Sequence, residues 1–126
     1  MIHRIKTSKA PKAIGPYSQG SKIDNLVFTS GQIAIDPSSG NLVIDDFKKE
    51  VIQVLNNVNA VLKSGGSNIN QVIKLTVFIK DISNFQIVND IFVTYFDADY
   101  PSRSVVEVSD LPLGVNIEIE AIGKIL

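Results

Sequence analysis

The sequence contains no cysteine. Disulfides, thiolate nucleophiles, iron–sulfur clusters and cysteine-ligated zinc are thereby excluded. The absence fits a reducing compartment, and the cytoplasm is the expected location. The only histidine is His3. A histidine-rich metal site falls with that scarcity, and no metal ion is expected. A Ser-His-Asp triad would have to be built around a residue beside the chain start, so His3 reads as a terminal surface residue. Neither charge is in excess: twelve Lys and Arg against thirteen Asp and Glu give a net charge of -1. Domains that grip nucleic acid usually carry a basic stripe, so nucleic acid is not the expected partner. No apolar run approaches the roughly 18 residues of a membrane span. The charges of Met1-Ile2-His3-Arg4-Ile5-Lys6 lead into no apolar stretch, so no signal peptide is expected. No segment repeats, and no linker divides two compositions.

What is present is a chain of 126 residues, 44% hydrophobic and 20% charged. Those proportions are near globular averages. A chain of this length buries about two-thirds of its unfolded surface, enough for a core without staples. One domain spanning residues 1–126 is expected.

Ile2 to Ile5 reads as a short first strand. Residues 10–20, with Pro11, Gly15, Pro16 and Gly20, read as an ordered loop. Leu26 to Ser30 is β-branched and aromatic, a strand stopping at Gly31. Asp36-Pro37-Ser38-Ser39-Gly40 is a turn cluster. From Phe47 the period becomes helical: Phe47, Val51, Val54, Leu55, Val58 and Leu62 share one face. Asp45 or Asp46 is the expected cap, and Gly65-Gly66 the left-handed end. Asn56, Asn57 and Asn59 then fall on the solvated face. Val72 to Ile79 reads as a central strand. Ser83-Asn84-Phe85-Gln86 matches a capping box opening a second helix, which must end before Pro101. Phe85, Val88, Phe92, Tyr95 and Phe96 line its apolar face. Ser104 to Val108 is a short strand, and Leu111 to Gly114 a turn. Val115 to Ile122 alternates, with Ile117, Ile119 and Ala121 on one face and Glu118 and Glu120 on the other. The predicted order is β-β-α-β-α-β-β, an α+β fold with a mixed sheet and both helices on one face. The other face, carrying Lys74, Thr76, Phe78, Glu118 and Glu120, is too apolar for bare water and too polar for a dry core. An oligomer packed sheet to sheet is expected.

Several residues carry candidate chemistry. Arg103 opens a strand and reads either as a surface arginine or as a fork that holds a carboxylate by two parallel hydrogen bonds. Glu118 and Glu120 are either solvated or, with one partly desolvated, a usable base near neutrality. Glu107 competes with them but reads first as a structural contact. Tyr17 either packs its loop or offers a hydroxyl to a ligand. No GxxxxGK[ST] or GxGxxG is present, so the glycines make no phosphate loop. Thr29-Ser30-Gly31-Gln32 is either a plain strand end or an anion site built from backbone N–H groups and the Ser30 hydroxyl. Composition and spacing stop at a small-ligand site suited to a carboxylate.

Five segments made of these residues occur in order: Ala13 to Gly20, Thr29 to Ile33, Val77 to Asp81, Pro101 to Val108, and Ile117 to Ala121. Together they resemble the RidA (reactive intermediate deaminase, YjgF-type) family over the whole chain. The resemblance implies a chorismate-mutase-like fold, a homotrimer and three clefts between subunits. It implies hydrolysis of 2-imino acids and their enamine tautomers to 2-keto acids and ammonia, with no cofactor or metal. Such substrates arise from pyridoxal-phosphate dehydratases. By the same resemblance Arg103 binds the substrate carboxylate and Glu118 orients the attacking water. Tyr17 and Ser30 line the cleft, Gly31 offers its backbone, and Asn89 lies nearby. Val105 stands where many relatives have cysteine, at a contact made largely through the backbone. The stretch from Phe96 to Pro101 is shorter than in some relatives, which bears on cleft size. A keto-acid-binding regulator without turnover is the alternative, and a ribonuclease or translation inhibitor, as relatives have been described, is a more distant one.

Overall fold

The computed structural model describes residues 1–126. The strands are β1 (His3–Ile5), β2 (Gly20–Ile23), β3 (Leu26–Thr29), β4 (Val72–Ile79), β5 (Ser102–Glu107) and β6 (Ile117–Lys124). The helices are α1 (Phe47–Ser64) and α2 (Phe85–Tyr95). One six-stranded sheet has the order β1-β2-β3-β6-β4-β5. Neighbours are antiparallel except β4 and β5, which run parallel because α2 crosses over between them.

The predicted helix α1 forms as its period dictates. Asp46 caps it, its carboxylate accepting from the N–H groups of Lys48 and Lys49. Val51, Val54, Leu55, Val58, Val61 and Leu62 are fully buried. Each such side chain contributes about 1.5–3 kcal/mol of transfer energy. They meet Leu75, Val77 and Ile79 of β4, Ile117, Ile119 and Ala121 of β6, and Val88, Ile91 and Phe92 of α2 in one cluster. Both helices therefore cover one sheet face. The alternation in β4 and β6 leaves Lys74, Thr76, Phe78, Glu118, Glu120 and Ile122 on the other, uncovered by any element of the chain.

Three details depart from the sequence reading. The sheet has a strand more than expected, so the order is β-β-β-α-β-α-β-β. Strand β2 is Gly-Ser-Lys-Ile, too polar to read as a strand, and it exists because it pairs on both sides. A two-residue hairpin joins it to β3, with Asp24 at φ 51°. Gly20 is required there, since a Cβ would lie 2.8 Å from the Phe28 carbonyl oxygen. The left-handed end of α1 does form within Gly65-Gly66, at Gly66. The capping box does not form. The Ser83 hydroxyl donates to Asp81 Oδ1, and Asp81 caps a 3-10 turn over Ile82–Asn84 that runs into α2. Finally, Asn57 is not on a solvated face. It is buried, and its Nδ2 donates to the carbonyls of Ile33 and Ile35 at 2.9 Å each.

A buried carboxylate sets the entry to β6. Glu50 is fully inaccessible, and both its oxygens accept from Asn116, one from the backbone N–H and one from Nδ2, at 2.8 Å each. Asn116 stands two residues before Glu118, so this clasp fixes where Glu118 begins its face.

Candidate active site

The loop of residues 10–20 is held from within. The buried Gln19 side chain donates to the carbonyls of Thr7, Ala10 and Pro11 and accepts from the Thr7 N–H at 2.7 Å. Its backbone then joins the strand end. Gln19 O accepts from Ser30 N–H at 2.9 Å, and Ser18 O accepts from the Ser30 hydroxyl at 2.6 Å. Gln32 and Ile119 exchange both backbone hydrogen bonds. Loop, strand end and β6 are thus one rigid unit, and Tyr17, Gly31 and Glu118 converge on it.

They line a cleft of about 440 Å³ with Lys12, Pro112 and Glu120. Tyr17 is half exposed there, and its hydroxyl accepts from the Ile14 N–H at 3.3 Å. Glu118 is partly buried, and burial raises its carboxyl pKa above the ordinary value; the neighbouring Glu120 charge raises it further. Gly31 lies against that carboxylate. The Ser30 hydroxyl and N–H and the Gln32 N–H all have partners within the chain. The expected anion site at this strand end is therefore not built from the Ser30 donors. Ser30 lines the cleft and holds the loop.

Arg103 is elsewhere. On β5 it stands opposite Leu75, so its side chain leaves the sheet on the helix face. Glu118 stands opposite Phe78, on the open face. Arg103 lines a second cleft, of about 450 Å³, with Asn89, Phe92, Val93, Tyr100 and Pro101. Its guanidinium lies over the rings of Phe85 and Phe92. Burial lowers its pKa somewhat from the ordinary arginine value. No carboxylate of the chain neutralises it, the ion pair of the structure being Lys80–Asp110. Val105, opposite Val77, shares the Arg103 face and packs on the core. Glu107 is structural: its Oε1 accepts from the Ile82 N–H at 2.9 Å.

The structure therefore sorts the expected residues into two groups. Tyr17, Ser30, Gly31 and Glu118 lie together, and Arg103 and Asn89 lie together. Within one chain the groups do not meet, because β4 lies between β6 and β5 and the side chains leave opposite faces. Sequence reasoning passed over Lys12 and the aromatic contact to Arg103. Phe85, Asn89 and Phe92 sit at helical positions i, i+4 and i+7, a signal already used for the core and so silent about the arginine.

Comparison with known proteins places the chain in a family. A family model described as Endoribonuclease L-PSP matches residues 7–125. A RutC family protein of Pyrococcus horikoshii is 49% identical over 119 residues, covering 94% of each chain. The 2-iminobutanoate/2-iminopropanoate deaminase of Mus musculus is 46% identical over 119 residues, covering 94% of this chain and 88% of its own. Among solved structures, Escherichia coli TdcF with bound serine superposes with a TM-score of 0.92 at 42% identity, covering 97% of this chain and 98% of that one. With the family model spanning nearly every residue and relatives this similar along their length, the chain belongs to the L-PSP endoribonuclease family, the group of YjgF and RidA.

Proposed function

We propose that the protein hydrolyses reactive 2-imino acids and their enamine tautomers to 2-keto acids and ammonia. We propose further that it does so as a homotrimer in the cytoplasm, each site closing where the Arg103 cleft of one copy meets the Glu118 cleft of the next. The observation that carries this reading is the division of the site. One cleft holds a cation without an anion, the other a carboxylate with a raised pKa, and neither is sufficient alone. Relatives named for this activity, close to half identical, support it. The serine bound by TdcF is a small amino acid with the same α-carboxylate.

The chemistry follows from the residues. The Arg103 fork takes the substrate carboxylate by two hydrogen bonds and fixes C2. Glu118 accepts a proton from a water as its oxygen adds to C2 of the protonated imine. The adduct carries hydroxyl and amine on one carbon. Glu118 gives that proton to the nitrogen and takes the hydroxyl proton as the C–N bond breaks, so that the C2 carbonyl forms; ammonia leaves and carries the last proton away from Glu118 as ammonium. The iminium is already electrophilic, so positioning and a modest base suffice, and no cofactor enters the balance. Tyr17 and Asn89 bound the space, with the Gly31 backbone beneath Glu118.

Exposed apolar residues surround both clefts, Ile14, Tyr17 and Leu113 at one and Phe85, Val93 and Tyr100 at the other. The open sheet face adds Phe28 and Val106. Such surfaces favour covering by another copy. The net charge of -1 gives RNA no comparable foothold.

The test is a coupled assay. A threonine dehydratase generates 2-iminobutanoate, and its decay is followed with and without the protein. Faster imine loss with matching 2-ketobutyrate and ammonia is expected. Decay at the rate of buffer alone, with 2-ketobutyrate still bound in calorimetry, would replace this reading with the regulatory one.

A further inference from the structure

The carbon at the centre of the Arg103 guanidinium is 5.4 Å from the Phe85 ring centroid and 5.2 Å from that of Phe92. Both distances lie within the range of a cation–π contact. The two rings come from one face of α2, separated by about two turns, with Asn89 between them. Phe92 is anchored: it is 5% exposed and stacks edge-on against Phe96 at 5.2 Å. Phe85 is 38% exposed and forms the outer side of the contact.

An arginine at the mouth of an edge strand with no ionic partner has many rotamers to sample. Aromatic rings engage the π-face of the guanidinium and leave its N–H edge unspent. That edge is what a carboxylate needs for a two-bond fork.

We propose that Phe85 and Phe92 are positioning residues that hold the Arg103 guanidinium by its face, so that its N–H edge is preset for the substrate carboxylate. The inference rests on Arg103 being the carboxylate holder. The aromatic pair acts through Arg103 on binding, not on the proton transfers at Glu118. Its loss raises KM and leaves kcat.

The experiment uses the assembled full chain, with 2-iminobutanoate turnover and calorimetric binding of 2-ketobutyrate as parallel readouts. Phe85→Leu keeps an apolar side chain and removes the π-face. It is expected to raise both KM and the 2-ketobutyrate Kd about 3- to 10-fold, with kcat within about twofold, in line with the strength of such contacts. Phe85→Tyr restores the face and is expected to restore both constants. Phe92→Leu shifts them in the same direction but also opens the core, so Phe85 decides the matter. Wild-type constants in Phe85→Leu while Arg103→Ala loses 2-ketobutyrate binding would overturn the clamp and leave the carboxylate reading intact. A fall in kcat at unchanged KM, or no rescue by tyrosine, would show a packing role and overturn it as well. Full 2-ketobutyrate binding by Arg103→Ala would remove the carboxylate reading itself.

Discussion

Gly31 lies so close beneath Glu118 that a Cβ on it would be 2.8 Å from the Glu118 carboxyl carbon. Only hydrogen fits. The clash would not be relieved by backbone movement, because Gln32 and Ser30 are both hydrogen-bonded in place. Gly31→Ala is therefore expected to turn the carboxylate out of its position, lowering kcat/KM by about 10- to 100-fold, as misplacement of a reacting group by an ångström does. A thermal melt beside the kinetics should show the fold retained. Full activity in Gly31→Ala would show that Glu118 is not required where it stands.

The Glu118 carboxyl is pushed up first by burial and then by Glu120. The proposed base acts ionised, so kcat/KM should rise with pH along a limb set by this raised value. Glu120→Gln removes the second cause and should move that limb to lower pH. The stability consequence has the opposite sense. A folded-state pKa above the unfolded value means that the folded protein holds the proton more tightly. Its stabilising contribution is present below the unfolded pKa and is lost as pH rises through the folded one. Glu118→Gln should then raise the melting temperature more at neutral pH than at pH near 4, by a small amount because the group is partly solvated. An acid limb that does not move in Glu120→Gln would sink the charge coupling.

Parts of this arrangement are legible in the sequence and parts are not. The α1 stripe, its Asp46 cap and the β6 alternation are local patterns, and each appears as read. Strand β2 is invisible because its pairing partners, not its composition, make it a strand. Asn57 reads as solvated because its polarity is visible while the carbonyls of Ile33 and Ile35 that bury it are over 20 residues away in the chain. The separation of Arg103 from Glu118 is the same kind of fact. Alternation alone puts Glu118 on the open face, but which strands lie between it and Arg103, and that Arg103 shares the face of Leu75, depend on pairing with β4, and no local pattern carries that pairing.

The Glu50 clasp should be sensitive to the loss of its acceptors. Both carboxylate oxygens accept from Asn116. Glu50→Leu removes both acceptors at a fully buried position and leaves the two Asn116 donors without them. The expected cost is about 1–3 kcal/mol of folding stability, read by urea denaturation. Activity should fall with it even below the unfolding transition, since the entry to β6 loosens two residues before Glu118. An unchanged denaturation midpoint would show that the clasp contributes nothing net.

At Arg103, charge and geometry can be separated. Arg103→Lys keeps a cation but offers a point charge in place of a planar fork. It is expected to lose at least about tenfold in kcat/KM, chiefly through KM, and Arg103→Ala to lose far more. Lysine performing as well as arginine would mean that charge alone recruits the substrate, and the two-bond fork would be wrong.

The proposed two-copy site makes a prediction that no single-chain site shares. Arg103→Ala and Glu118→Gln are each expected to be inactive as pure proteins. Mixed at equal amounts, dissociated and reassembled, they are expected to form hybrid trimers. A site is intact when its arginine half comes from a Glu118→Gln chain and its carboxylate half from an Arg103→Ala neighbour. Random assembly makes that pairing at about one site in four, so about a quarter of the wild-type activity should return. The recovery requires exchange of subunits and should be absent when the two proteins are mixed without dissociation. If both catalytic groups acted within one chain, every chain in the mixture would lack one of them, and no reassembly could restore turnover. A mixture that stays inactive after proven exchange would show that the halves do not meet across copies.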